Sequence, residues 1–118
     1  MTALEPEYLI PLSPTDYAIM TALAERPLYG FALTDQCSID SEGIISLGRG
    51  TLYPALKRLE KFGYIACVRQ EPGQGSRHRR IYALTDRGRL VFEQETSRLR
   101  RAVHLAELRL RRKQQKMP

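Results

Sequence analysis

One proline sets the register of the central part of this chain. Pro54 stands within Gly48 to Ile65, where Leu52, Leu56 and Leu59 recur at helical spacing with Ala55 between them. Such a stripe marks an amphipathic helix. Proline lacks the N–H that an interior position donates, and its ring meets the preceding turn. It is accommodated near a helix start, so the helix begins near Arg49 to Thr51. Gly63, after Phe62, suits the left-handed residue that ends a helix. The spacing therefore predicts one short helix with an apolar face for a core. Off that stripe lie Thr51, Tyr53, Pro54, Lys57, Arg58 and Lys61, with Arg49 just ahead of them. That second face suits a polyanion.

Charge is distributed to match. The 118 residues carry a net +6. Residues 1–48 hold one basic and seven acidic residues (net −6), residues 49–84 eight and two (+6), and residues 85–118 ten and four (+6). Positive charge begins at the central helix, which points to a nucleic-acid face. A hydrophobic content of 42% argues against general disorder, and no apolar run is long enough to span a bilayer. Met1 to Ile10 contains Glu5 and Glu7 and no basic residue, unlike a secretory signal, so a cytoplasmic location is expected. Cys37 and Cys67 are far apart with no second pair, which disfavours a disulfide framework or a zinc knuckle. They read as free thiols, with redox sensing the alternative.

Taken in order, residues 1–12 form an irregular lead-in broken by Pro6 and Pro11. Ser13-Pro14-Thr15-Asp16 starts a helix: the hydroxyl can accept a backbone N–H, proline suits the first position, and the carboxylate meets the positive helix end. Tyr17, Ile19, Met20, Leu23 and Ala24 give it a core face, and Pro27 closes it. Leu28-Tyr29-Gly30 reads as a turn, Phe31 to about Cys37 as a second helix, and Ile44 to Leu47 as a brief strand or an extended approach to the central helix. This is the helix-turn-helix order. Tyr64 to Gln70 and Arg79 to Leu84 read as two strands around the Pro- and Gly-marked turn Glu71 to His78, which makes a wing.

Thr85 and Asp86 cap a last helix running to about Arg112. Along it Phe92, Thr96, Leu99, Val103, Ala106 and Leu110 keep a seven-residue repeat. A helix that long cannot hide its stripe alone. A second copy should cover Phe92, Leu99, Val103, Ala106 and Leu110 to make a homodimer, the alternative being that the helix folds back on its own first helix. The expected fold class is mainly α with a small two-stranded β wing, a winged helix-turn-helix plus a long C-terminal helix. Its parts are the lead-in at 1–12, the DNA-binding domain at 13–84, the dimerisation helix at 85–113 and a frayed tail at 114–118.

A major groove admits one α-helix, whose first residues reach base edges while hydroxyls and cations hold phosphates. Arg49 and Thr51 stand at that start, Tyr53 carries a hydroxyl suited to phosphate or can turn inward, and Lys57 and Lys61 lie one turn apart beside Arg58. In the wing, Arg77, His78 and Arg79 are the candidates for a minor-groove or phosphate contact, ahead of Arg80, because strand side chains alternate. His104 has no neighbouring Cys, Asp or second His and reads as a helix-surface residue, with no metal or other cofactor implied. The two histidines flank no credible nucleophile, and Gly73-Gln74-Gly75 precedes a strand, so no catalytic residue is assigned and the chain is not read as an enzyme.

Gly50-Thr51-Leu52-Tyr53-Pro54-Ala55-Leu56, followed by Lys57-Arg58-Leu59-Glu60, resembles the recognition-helix signature of the PadR family of winged-helix transcriptional regulators. Leu28-Tyr29-Gly30 and Arg80-Ile81-Tyr82-Ala83-Leu84-Thr85-Asp86-Arg87-Gly88 are similar to that family's flanking signatures, in the same order. The resemblance covers roughly Leu12 to Arg100 and implies a repressor that binds a pseudo-palindromic operator in double-stranded DNA as a homodimer. It implies the family's short form, with a single C-terminal helix. Some members stack flat aromatic effectors on a tryptophan between the last helices; this chain has no tryptophan and offers Phe92 there, which leaves any small-molecule effector unspecified. A winged helix that binds RNA, or an acidic protein, is the alternative reading of the same cations.

Overall fold

Four helices and three short strands follow one another as α1 (Pro14–Glu25), β1 (Leu28–Tyr29), α2 (Gly30–Asp40), α3 (Arg49–Lys61), β2 (Ile65–Pro72), β3 (His78–Leu84) and α4 (Asp86–Lys116). The structure, a computed structural model, describes residues 11–72 and 78–116. α1 starts as its sequence requires: Ser13 Oγ accepts the Asp16 N–H at 3.1 Å and Pro14 takes the first position. α3 begins at Arg49, so Pro54 falls in its second turn, where the missing bond is to the carbonyl of exposed Gly50. Its end is a Schellman motif. Gly63 has φ 78°, its N–H reaches Glu60 O at 3.0 Å, and the Tyr64 N–H reaches Leu59 O at 3.0 Å.

The sheet differs from the expected two strands. Its order is β1-β3-β2, with Leu28 opposite Tyr82 and Tyr29 opposite Ile81. Leu28-Tyr29, read from sequence as a turn, is thus a third strand, and Gly30 already belongs to α2. The two wing strands are antiparallel from Ile65↔Leu84 to Pro72↔His78, with an irregularity between Cys67 and Arg69 that leaves Val68 without a partner in the register. Ile44 to Leu47 forms no strand: the chain bends at Ile44 and Ile45 and then runs without regular structure into α3.

The core gathers the apolar faces of all of these. Ile19, Met20 and Leu23 from α1, Leu33 and Cys37 from α2, and Leu52, Ala55, Leu56 and Leu59 from α3 are buried with Tyr64, Ile65, Tyr82 and Val91. Burying one such aliphatic side chain stabilises the fold by roughly 1.5–3 kcal/mol, so α3 is held by its inner face and its outer face is unconstrained by packing. α4 starts on Thr85, whose Oγ1 accepts the Gly88 N–H at 2.9 Å and donates to the Gly63 carbonyl. The helix has 31 residues, about 46 Å at 1.5 Å per residue. It is helical to Lys116, beyond the expected end at Arg112.

α4 runs antiparallel to α1 for its first half. Tyr17 stacks on Phe92 at 5.2 Å, Tyr17 Oη and Thr96 Oγ1 share a hydrogen bond of 2.7 Å, and the Leu12 N–H donates to Glu95 Oε2 at 2.8 Å. Past Leu99 the helix leaves its own domain, and residues 100–107 are all exposed. Fold-back on α1 thus accounts for Phe92 and not for Val103 or Leu110, which are 57% and 66% exposed.

Candidate nucleic-acid interface

The outer face of α3 carries the expected residues in the expected order. Arg49, Thr51, Tyr53, Pro54, Lys57 and Lys61 are exposed, while Leu52, Ala55, Leu56 and Leu59 point into the core. Among the described residues, Arg49, Lys57 and Lys61 make no ion pair. Tyr53 does not turn inward. It is 51% exposed, and its hydroxyl lies 3.6 Å from where a Cβ on Gly30 would stand, so the ring reaches across the start of α2. At that distance a Cβ would be in ordinary van der Waals contact, so the ring does not by itself demand glycine at position 30.

Arg58 is placed differently from its neighbours. Its Nη2 donates to Asp16 Oδ1 at 2.6 Å and its Nε to Oδ2 at 3.3 Å, which turns the guanidinium toward α1. Asp16, read from sequence as a dipole partner of α1, is a buried residue at 7% exposure. Glu60, the carboxylate of this helix, is engaged by Arg80 Nη2 at 3.1 Å, and Arg80 Nε also donates to Tyr82 Oη at 3.0 Å. These bonds hold the Arg80 guanidinium above its ordinary pKa, the Tyr82 hydroxyl first among the causes.

In the wing, Arg79 is exposed and its guanidinium lies over the Tyr29 ring at 5.0 Å from the centroid. It therefore joins β3 to β1 beside Gly30 and Tyr53. Arg77 lies outside the described residues, and of His78 only the backbone, in β3, is described. The wing root and the start of α2 thus converge on one side of α3.

The sequence model of the transcriptional regulator PadR-like family matches residues 19–94. This chain belongs to that family. It is a family of transcriptional regulators and not of enzymes, so the PadR-like chain is a regulator. Among solved structures it is similar to a PadR family transcription regulator from Clostridium difficile, at 25% identity over 83% of this chain and 99% of that one, with TM-score 0.69. A transcriptional regulator from Clostridium thermocellum shares 26% identity, covering 79% of this chain and 86% of that one, with TM-score 0.65. Bacillus subtilis PadR, solved in complex with operator DNA, shares 26% identity over 67% of this chain and 45% of its own, with TM-score 0.59. No curated protein sequence matches significantly.

Elsewhere, an open groove of about 520 Å³ runs beside α4, lined by Tyr17, Thr96, Leu99, Arg100, Val103 and His104. Phe92 is instead stacked into the core next to it. Among the described residues no group of three His, Cys, Asp or Glu could hold a metal ion, and no helix is long and apolar enough to cross a membrane. Sequence reasoning does not reveal the burial of Asp16 and Glu95, the two buried carboxylates among the described residues. Glu95 is held by Arg98 at 2.6 Å and by the Leu12 N–H, which together keep its carboxyl below the usual carboxylate range, Arg98 being the larger cause.

Proposed function

We propose that this PadR-like regulator binds an operator in double-stranded DNA as a homodimer and acts as a repressor. The observation that carries the reading is the cationic face of α3: Arg49, Lys57 and Lys61 stand exposed, without an ion pair among the described residues, while the helix is fixed from behind by four buried apolar residues. The operator complex of Bacillus subtilis PadR supports it. Arg49 and Thr51 at the helix start read base edges, and Tyr53, Lys57, Lys61 and Arg79 hold phosphates. Residues 13–84 form the DNA-binding unit. The seam Leu99, Val103, Ala106 and Leu110 on the free half of α4 seats a second copy, with Phe92 supporting it from its own core. Two copies present their α3 helices to successive major grooves about 34 Å apart, which makes the operator pseudo-palindromic. Such a regulator works in the cytoplasm, where its DNA is.

The test is to select duplexes from a random-sequence pool, then to footprint the protein on the region upstream of its own coding sequence. An inverted repeat is expected in both. With the selected duplex, Lys57→Ala and Lys61→Ala should each weaken binding and make the slope of log K against log salt shallower by about 0.9 for each phosphate no longer neutralised. A chain that retains structured RNA or an acidic protein in preference to any duplex at equal salt overturns the reading.

A further inference from the structure

We infer that Asp16 is a positioning residue for DNA binding, which acts through Arg58 to set the angle at which α3 is presented. This rests on the DNA-binding reading above. An aspartate in a first helical turn serves the helix dipole from an exposed position, so that task alone does not call for its burial. Here it is buried, and both of its oxygens are taken by the fork of one guanidinium. A two-point, planar contact fixes direction as well as distance. Arg58 sits between Lys57 and Leu59, one residue from the cationic face and one from the core. A guanidinium spent on a carboxylate is not free to displace counterions from a phosphate, so Arg58 braces the helix that Lys57 and Lys61 use.

The place where the brace is anchored gives it its reach. Tyr17, next to Asp16, is fixed to α4 by its stacking on Phe92 and its bond to Thr96, and Leu12 is fixed to Glu95. One short piece of backbone, Leu12–Tyr17, thus holds α4 and α3 together. The angle of α3 is referenced to α4 and, in a dimer joined through α4, to the other α3. Asp16 therefore governs the half-site spacing that the dimer accepts, as well as affinity.

The test uses full-length protein and fluorescence anisotropy over a series of salt concentrations. The probes are a duplex selected by the wild-type chain, the same duplex with one base pair inserted at its centre, and a scrambled duplex. Asp16→Asn and Arg58→Gln should each weaken the selected duplex by about threefold to thirtyfold, with the double variant no worse than either single one. The scrambled duplex should bind within twofold of wild type and the salt slope should stay unchanged. The penalty for the inserted base pair should shrink in both variants, an effect that general destabilisation does not produce. Arg58→Lys, which keeps the charge and loses the fork, should behave like Arg58→Gln, and it stands in if the latter fails to fold.

A slope shallower by about 0.9 in Arg58→Gln alone would make Arg58 a phosphate ligand and overturn the inference. So would wild-type binding and spacing preference in Asp16→Asn. A wild-type chain that selects no duplex at all overturns the DNA-binding reading, and this inference with it.

Discussion

Replacing Gly88 by alanine sets two effects of opposite sign against each other, and the structure decides between them. Gly88 lies in the first turn of α4, where helix propensity alone favours alanine by about 1 kcal/mol. A Cβ there would stand 1.8 Å from the Tyr64 carbonyl oxygen and 2.7 Å from its carbon, backbone atoms that cannot rotate away. An unstrained carbon–oxygen contact needs about 3.3 Å, so α4 or the α3–β2 corner must move by roughly 1.5 Å. The same carbonyl accepts the Thr85 N–H at 3.1 Å, so the movement also loosens the start of α4. Overpacking costs about 1–3 kcal/mol and the strained hydrogen bond about 1 kcal/mol more. The geometry wins, and Gly88→Ala should destabilise the fold by about 1–3 kcal/mol, which lowers Tm by roughly 5–15 °C. The measurement is urea unfolding followed by helical circular dichroism at one fixed protein concentration, since self-association adds to apparent stability. Gly50→Ala is the control. Nothing lies within 4 Å of its added Cβ, and it should be neutral or stabilising by up to about 1 kcal/mol. An unfolding midpoint for Gly88→Ala at or above wild type would refute the reasoning.

Three further outcomes are expected. Val103→Glu and Leu110→Glu replace exposed apolar residues on the free half of α4, so they should leave the circular dichroism spectrum unchanged while sedimentation shifts toward the monomer; unchanged self-association would remove the proposed seam. Glu95 has its folded pKa below the unfolded value of about 4.3, so its contribution is full above that pH and is lost as pH falls through the lower folded value. Glu95→Gln should therefore be less stable than wild type near pH 7, with the gap narrowing once the pH falls below about 4.3; a gap independent of pH would contradict this. Burial, with Asp40 as a smaller cause, pushes the Cys37 thiol up to about 11, whereas Cys67 is half-buried. Iodoacetamide at pH 8 should label Cys67 in the folded protein and reach Cys37 only on unfolding, as mass spectrometry of the intact protein would reveal.

What could be read from sequence and what could not divide on physical lines. Pro54, Gly63 and Ser13-Pro14 are local signals that act on their own backbone, and they placed the ends of α1 and α3 correctly. The heptad repeat likewise announced a long α4. β1 was missed because two residues are too short to display a period, and its partners Ile81 and Tyr82 lie more than fifty positions away. The Asp16–Arg58 pair spans 42 positions, and each residue already has a sufficient local explanation, as helix-dipole partner and as surface cation. Glu95 was passed over for a similar reason. A carboxylate on a charged helix is ordinarily solvated, and only the arrival of the Leu12 backbone N–H shows what it is for. Where the wing cations reach was only partly legible, because the alternation of β3 does not foretell that Arg80 is drawn to Glu60 and Arg79 to Tyr29.

The third strand has a mechanical consequence. Since β3 lies between β1 and β2, the base of the wing is laced on both sides, and on one of them to the two residues that lead directly into α2. The base of the wing is therefore tied both to the start of α2 and to the strand that follows α3, and is not joined to the rest of the domain by one strand alone. On the proposed reading, a duplex held by α3 and the wing has to conform to that fixed base, so base steps that bend or narrow at little cost should be favoured even where no side chain touches them.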